Sequence, residues 1–297
     1  MATTLKAAED AQTVSVLRSY ESKRFKVKFE SEEAMNAALA AESVGPGLAV
    51  IHPSRAVLSV EMEAASATSF ADSFSSIQNV YGARIVEDYR YELEDLDFFN
   101  PAAFSPDDVA NPSLDDVIEQ IRAPSAWAQS RGAGVVLAIV DTGIDGSRSE
   151  FAGARRLPGW APIGEQPWTD WQGHGTMCAS IAAGSKADGG DFDGVAPQAM
   201  VMPCRTHFYD TELAAIYDAL TALAREGHVV VASNSFGLKR GTPPPVPEDS
   251  DFIAALDDAI AAGVHVFFSA GNYHHLAGGT DQGHAPTSIW LHKCRAD

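Results

Sequence analysis

The sequence predicts an α/β protein: a parallel sheet with helices on both faces, preceded by a smaller βαββαβ module. Three observations carry this. Beyond Asp115, near-continuous apolar strands alternate with amphipathic helices, the pattern of a sheet buried on both faces. Between Arg24 and Tyr89, period-two strands and helical-period segments follow one another as βαββαβ, the ferredoxin-like order. A stretch rich in Asp, Pro, Asn and Phe separates the two parts.

The elements follow in order. Residues 1–20 are polar and aperiodic, a flexible tail, and residues 21–93 form the first module. Phe25, Val27 and Phe29 alternate with Lys26 and Lys28, a half-buried strand. Ser31-Glu32-Glu33 opens a helix, with a serine cap and acids at the positive end of the dipole. Met35 and Leu39 share one face of it. Leu48 to Ile51 and Leu58 to Met62 read as strands around a His52-Pro53-Ser54 turn. Phe70, Phe74 and Ile77 give a second helix ended by Gly82, and Ala83 to Tyr89 a fourth strand.

Residues 94–113 are the linker and residues 114–297 the larger domain. Asp115 to Ala128 reads as one helix broken at Gly132-Ala133-Gly134. Strands fall at Val135–Val140, Ala199–Cys204, Val229–Ser233 and Val264–Ala270. Helices fall near His174–Ala183, Thr211–Arg225 and Asp251–Ala262.

Composition narrows the function classes. An apolar fraction of 45% suffices for a globular core. Forty acidic against 21 basic residues, net −19 with no basic stripe, argues against nucleic acid and anionic membranes as partners. The first residues lack the layout of a secretory signal, and no apolar run is long enough to cross a bilayer. The expected location is cytoplasmic, with secretion left open. Three cysteines, Cys178, Cys204 and Cys294, give neither metal spacing nor a disulfide framework.

Two segments carry chemistry. Asp141 ends the strand Val135-Val136-Leu137-Ala138-Ile139-Val140, the edge where open parallel sheets place their sites. His174 lies between Gly173 and Gly175 at a helix start, 33 residues later. The helix N-terminus lowers a histidine pKa and a nearby carboxylate raises it, so the pair is expected to hold His174 near neutrality as a general base. Asp141-Thr142-Gly143 also resembles the active-site strand of aspartic proteases, but that chemistry needs a second such Asp or a symmetric dimer.

Together, these segments resemble the first two members of the catalytic triad of subtilases, the subtilisin-like serine endopeptidases. Four further stretches share the resemblance. The Asp115–Trp127 segment resembles the helix before the catalytic Asp strand, and Gly194-Val195-Ala196-Pro197 the segment after the His helix. Asn234-Ser235-Phe236-Gly237 resembles the substrate-pairing strand, and Ser269-Ala270-Gly271-Asn272 the segment bearing the oxyanion amide.

The resemblance implies a subtilisin-like fold and distinct roles. Asp141 would orient the imidazole, His174 would act as base and then acid, and Asn272 would donate to the oxyanion. Ser235, Phe236 and Gly237 would bind a peptide or protein substrate as an added strand. It also implies that residues 21–93 are a propeptide-type inhibitor, with Tyr89 to Leu93 entering the substrate cleft.

Cys178 lies where some relatives carry a free cysteine, and reads as a small buried residue. Subtilases commonly use acidic loops for structural calcium. Asp188, Asp191 and Asp193, with Glu150, offer one, though the spacing is not that of an EF-hand and a solvated acidic loop explains them better. No cofactor is expected for the chemistry itself. His274, His275, His284 and Asp281 form an irregular loop without metal-site spacing.

The departure from the family is the nucleophile. No Gly-Thr-Ser-Met-Ala-like segment occurs, and Ser288, too near Asn272 and lacking the glycine, does not qualify. The larger domain is therefore expected to be incomplete, its serine supplied by a missing C-terminal portion or a second chain, and these residues alone nearly inactive. The alternative is a non-catalytic pseudoprotease or a propeptide-type inhibitor that binds peptides.

Overall fold

A computed structural model describes residues 24–40, 48–54, 59–64, 77–86, 88, 90–93, 114–237 and 250–269. By contacts the chain divides into two compact units. The first comprises residues up to Arg90 together with Tyr209–Asp218 and Asp249–Asp258; the second holds the rest.

In the first unit, strands β1 (Arg24–Lys28), β2 (Leu48–Ser54), β3 (Ser59–Ala64) and β4 (Arg84–Val86) form an antiparallel sheet. Its order β2-β3-β1-β4 is the ferredoxin-like arrangement. Helix α1 (Glu32–Ala40) begins as its sequence dictates: Ser31 Oγ accepts the Ala34 amide at 3.1 Å, a serine N-cap. Met35 and Ala38 bury its inner face against a core that includes Val27, Phe29 and Ile85. Of the second helix, residues 77–81 are described and are helical, with Ile77 buried. Phe70 and Phe74 lie outside the described residues.

One expectation is corrected here. Period-two patterning puts Lys26 on the polar face of β1, yet Lys26 is only 1% exposed. Its Nζ lies 3.1 Å from Asp210 and 3.5 Å from Asp251, at the first turns of helices α5 (Asp210–Arg225) and α6 (Asp251–Ala261). Both faces of β1 are covered. A lysine tolerates this burial because two carboxylates meet it.

The second unit is built on β6 (Val135–Asp141), β7 (Met200–Arg205), β8 (Val229–Asn234) and β10 (His265–Phe268), all parallel, in the order β10-β8-β6-β7. Strand β6 is central and buried along nearly its whole length. Helix α4 (His174–Ala183) packs Ala179 and Ala183 against Leu137, Ile139, Phe151 and Val201. The predicted strands of this unit are all present, each shifted by at most two residues at its described ends, whereas in the first unit β2 runs on through His52-Pro53-Ser54, expected as a turn but paired with β3.

The helix read over Asp115–Ala128 is two helices, α2 (Leu114–Gln120) and α3 (Ala123–Trp127). Arg122 between them is left-handed at φ 59°, and Pro124, which has no amide to donate, sits in the first turn of α3. No helix among the described residues is long and apolar enough to cross a membrane.

Candidate active site

Asp141 and His174 meet. His174 Nδ1 lies 2.7 Å from Asp141 Oδ1, with the carboxylate 1% and the imidazole 7% exposed. Each residue arrives there for a local reason. Asp141 ends β6, where the chain leaves the sheet and its side chain turns over the carboxyl edge. His174 opens α4, and Gly173 ahead of it takes φ 98°, a left-handed conformation glycine adopts freely.

The approach of the two segments demands glycine. A Cβ on Gly143 (φ 104°) would stand 2.1 Å from the Thr169 carbonyl oxygen, and one on Gly175 2.2 Å from the Gly143 carbonyl. Gly143→Ala is expected to destabilise the chain by at least about 2 kcal/mol, combining left-handed strain with overpacking. Gly134→Ala, at φ 83° with nothing within 4 Å, is expected to cost only about 1 kcal/mol. Denaturant midpoints of the two variants check the difference.

The electrostatics differ from the sequence expectation in one respect. Burial pushes the His174 pKa down, but the hydrogen bond that the ring donates to Asp141, with the Cys178 sulfur beside it, outweighs it, so the imidazole is held above its ordinary value rather than near neutrality. The carboxylate dominates because it is buried with the ring, where its charge is poorly screened.

Cys178 Sγ lies 3.8 Å and 3.9 Å from the two ring nitrogens and 3.6 Å from Ser235 Oγ. Asp141, His174 and Cys178 are the group of potential metal ligands found among the described residues, within 4.8 Å of one another. The sulfur's near-equal distances put it along neither imidazole lone pair, and Asp141 and His174 are committed to each other. The arrangement is a hydrogen-bonded pair with a thiol beside it.

The acidic loop is likewise engaged. Asp188 pairs with Arg155 at 2.6 Å and Asp193 with Arg131 at 2.6 Å, and Glu150 accepts the Ser180 hydroxyl at 3.0 Å. A calcium ion at Asp188 or Asp193 would compete with the guanidinium groups of Arg155 and Arg131.

The Ser235–Gly237 segment forms strand β9 (Phe236–Gly237), paired antiparallel with β5 (Glu92–Leu93). Glu92 stands opposite Gly237 and Leu93 opposite Phe236. Just ahead, the Tyr91 amide donates to the Phe208 carbonyl at 2.8 Å, and its buried ring meets Phe236 edge-on at 6.1 Å. The extended segment is thus held between two stretches of backbone. Asn272, and with it His274, His275, Asp281, His284 and Ser288, lies outside the described residues.

Sequence reading missed Asp170, four residues before His174. Its carboxylate collects hydrogen bonds from both the Asp141 loop and the start of α4. The available signal was an acid just upstream of a helix start, where unpaired amides attract a carboxylate.

The family model described as "Subtilase family" matches residues 132–291. An "Intracellular serine protease" of Paenibacillus polymyxa is 31% identical over 52% of this chain and 47% of its own length. "Thermitase" of Thermoactinomyces vulgaris is 33% identical over 34% of this chain and 37% of its own. A solved structure of the MycP3 protease, from the type VII (ESX-3) secretion system, is 23% identical over 63% of this chain and 52% of that one, with a TM-score of 0.40. The chain spans at most about half the length of these curated relatives. An aspartate ending the central parallel strand, bonded to a histidine opening the next helix, inside a matched region covering more than half the chain, leaves one assignment: the chain belongs to the subtilase family.

Proposed function

We propose that this chain carries the Asp and His of an Asp-His-Ser triad in a subtilisin-type serine endopeptidase, the serine being supplied from outside residues 1–297. The observation that carries the reading is the buried 2.7 Å contact between His174 Nδ1 and Asp141 Oδ1. With Nδ1–H donated to the carboxylate, Nε2 keeps its lone pair for a substrate-attacking hydroxyl. His174 takes that proton as the hydroxyl adds to the peptide carbonyl, and Asp141 stabilises the imidazolium that results. The proton then passes to the departing amine. Asn272 would donate its side-chain amide to the oxyanion. The chemistry needs no cofactor.

Ser235 to Gly237 would receive the substrate as an added strand, as β9 receives β5. In this reading residues 21–93 are an inhibitor domain whose last residues fill the substrate's place, with 94–113 the linker to the catalytic domain at 114–297. One relative is named a calcium-dependent protease. Here Arg131 and Arg155 would neutralise the acidic loop in a cation's stead.

The test uses the product of the complete reading frame with a casein substrate. Hydrolysis blocked by a fluorophosphonate is expected. Hydrolysis that ignores the fluorophosphonate, peaks at acid pH and survives His174→Ala while Asp141→Asn abolishes it would overturn the triad in favour of carboxylate chemistry.

A further inference from the structure

We propose that Asp170 is a positioning residue that holds Asp141 and His174 in register. The proposal rests on the reading of those two residues as a catalytic pair. Asp170 is bonded to both segments. Its Oδ1 accepts the Thr142 hydroxyl at 2.7 Å and the Gln172 and Gly173 amides at 3.0 and 2.8 Å. Its Oδ2 accepts the Thr176 amide at 2.8 Å and the Thr176 hydroxyl at 2.5 Å.

The two threonines make the link reciprocal. Thr142, beside Asp141, donates its hydroxyl to Asp170 and accepts the Gly175 amide at 2.9 Å. Thr176, two residues past His174, donates to the same carboxylate and accepts the Asp145 amide at 2.9 Å. Each hydroxyl belongs to one segment, binds the backbone of the other, and has its proton directed by one shared carboxylate. A hydroxyl must donate to Asp170 to leave its lone pairs turned toward the opposite amide.

Only the ionised carboxylate serves both. Five donors converge on it and it offers none back, which an amide or a protonated acid cannot match. Burial works to raise its pKa, but the Thr176, Thr142, Gly173 and Gln172 hydrogen bonds outweigh that and hold it below the ordinary carboxylate range. The hydroxyl bonds of both threonines run to Asp170 and to backbone amides, not to the His174 ring. Their effect on catalysis is on where Asp141 and His174 sit, since a shift of about 1 Å at such a pair is costly.

The readout is the protonation of His174, which needs no turnover. The 297-residue chain, with 15N-labelled histidine, is titrated by NMR as wild type and as Asp141→Asn, Asp170→Asn, Thr142→Val and Thr142→Ser. Wild-type His174 is expected to titrate above a free histidine, and Asp141→Asn to remove the elevation. Asp170→Asn is expected to lower it by about one unit, a tenfold loss of proton affinity. Thr142→Val should move it the same way, with Thr142→Ser restoring the wild-type curve.

A merely structural role would lower the unfolding midpoint and leave the titration where it was. Should Asp170→Asn fail to fold, the Thr142→Val and Thr142→Ser pair decides alone. Unmoved titration in Asp170→Asn, or in Thr142→Val where Asp170→Asn does not fold, overturns the positioning role if Asp141→Asn still shifts it. Unmoved titration in Asp141→Asn overturns the catalytic pair itself.

Discussion

Replacing His174 with alanine is expected to lower turnover of the complete reading-frame product by about a millionfold, the loss that subtilisin suffers on losing its histidine. Asp141→Asn is expected to cost about ten-thousandfold, because the imidazole survives but loses its fixed tautomer. At about 1.36 kcal/mol per decade, the first change removes roughly 8 kcal/mol of barrier lowering. The order of the two effects follows from geometry. In the proposed mechanism His174 exchanges protons with the reacting groups, whereas Asp141 acts only through Nδ1, 2.7 Å away.

The pH profile has a defined sign. The bond to Asp141, with the Cys178 sulfur beside the ring, holds the imidazole pKa above its ordinary value, so the free base accumulates on the alkaline side. Asp141→Asn should therefore shift the ascending limb to lower pH while lowering the plateau. Steady-state kcat against pH for the wild type and Asp141→Asn measures this. A His174→Ala protein within a hundredfold of wild type would refute the general-base role.

What the sequence discloses depends on how locally the information is written. Asp141 and His174 are legible because an apolar strand ending in Asp-Thr-Gly and a helix opening in His-Gly-Thr are each a few residues long. Their spatial meeting follows once both segments end at the same sheet edge. The split between α2 and α3 is written locally too, in Pro124, but helical periodicity runs across it and masks the break.

Lys26 and Asp210 lie 184 positions apart, and nothing in either neighbourhood names the other. Alternation reports only which face of β1 is apolar. It cannot report that charged helix starts cover the second face. Asp170 is an intermediate case. Its position before α4 suggests a role at the helix terminus, whereas its bond to Thr142 exists only in three dimensions. The height of the His174 pKa depends on how deeply its partner is buried, which no motif states.

Lys26→Ala is expected to destabilise the first unit by about 3–5 kcal/mol, the cost of leaving buried carboxylates without their counter-charge. Lys26 and Lys28 face Asp210 and Asp251, with Lys28 Nζ 2.6 Å from Asp251. Asp210 also accepts the Ser250 hydroxyl at 2.5 Å and the Asp251 amide at 2.7 Å, joining the starts of α5 and α6. Removing Lys26 leaves two carboxylates, each at most 1% exposed, against one lysine.

Asp88 adds a pH dependence. It accepts the Thr211 amide at 3.2 Å and hydroxyl at 2.8 Å, while burial, and then the Asp210 charge, raise its pKa from 3.8 to about 7. A carboxyl raised in this way binds its proton more tightly in the folded state. Its contribution is thus full below about pH 4, declines as pH rises, and is gone above about 7. Asp88→Asn should flatten that slope, since its amide stays neutral throughout.

Hydrogen exchange of amides in β1, β3 and β4, compared with those in β6 and β8, isolates the first unit's response. Lys26→Ala amides in β1 that stay within about 1 kcal/mol of wild type would mean the buried pair is no stronger than a surface one.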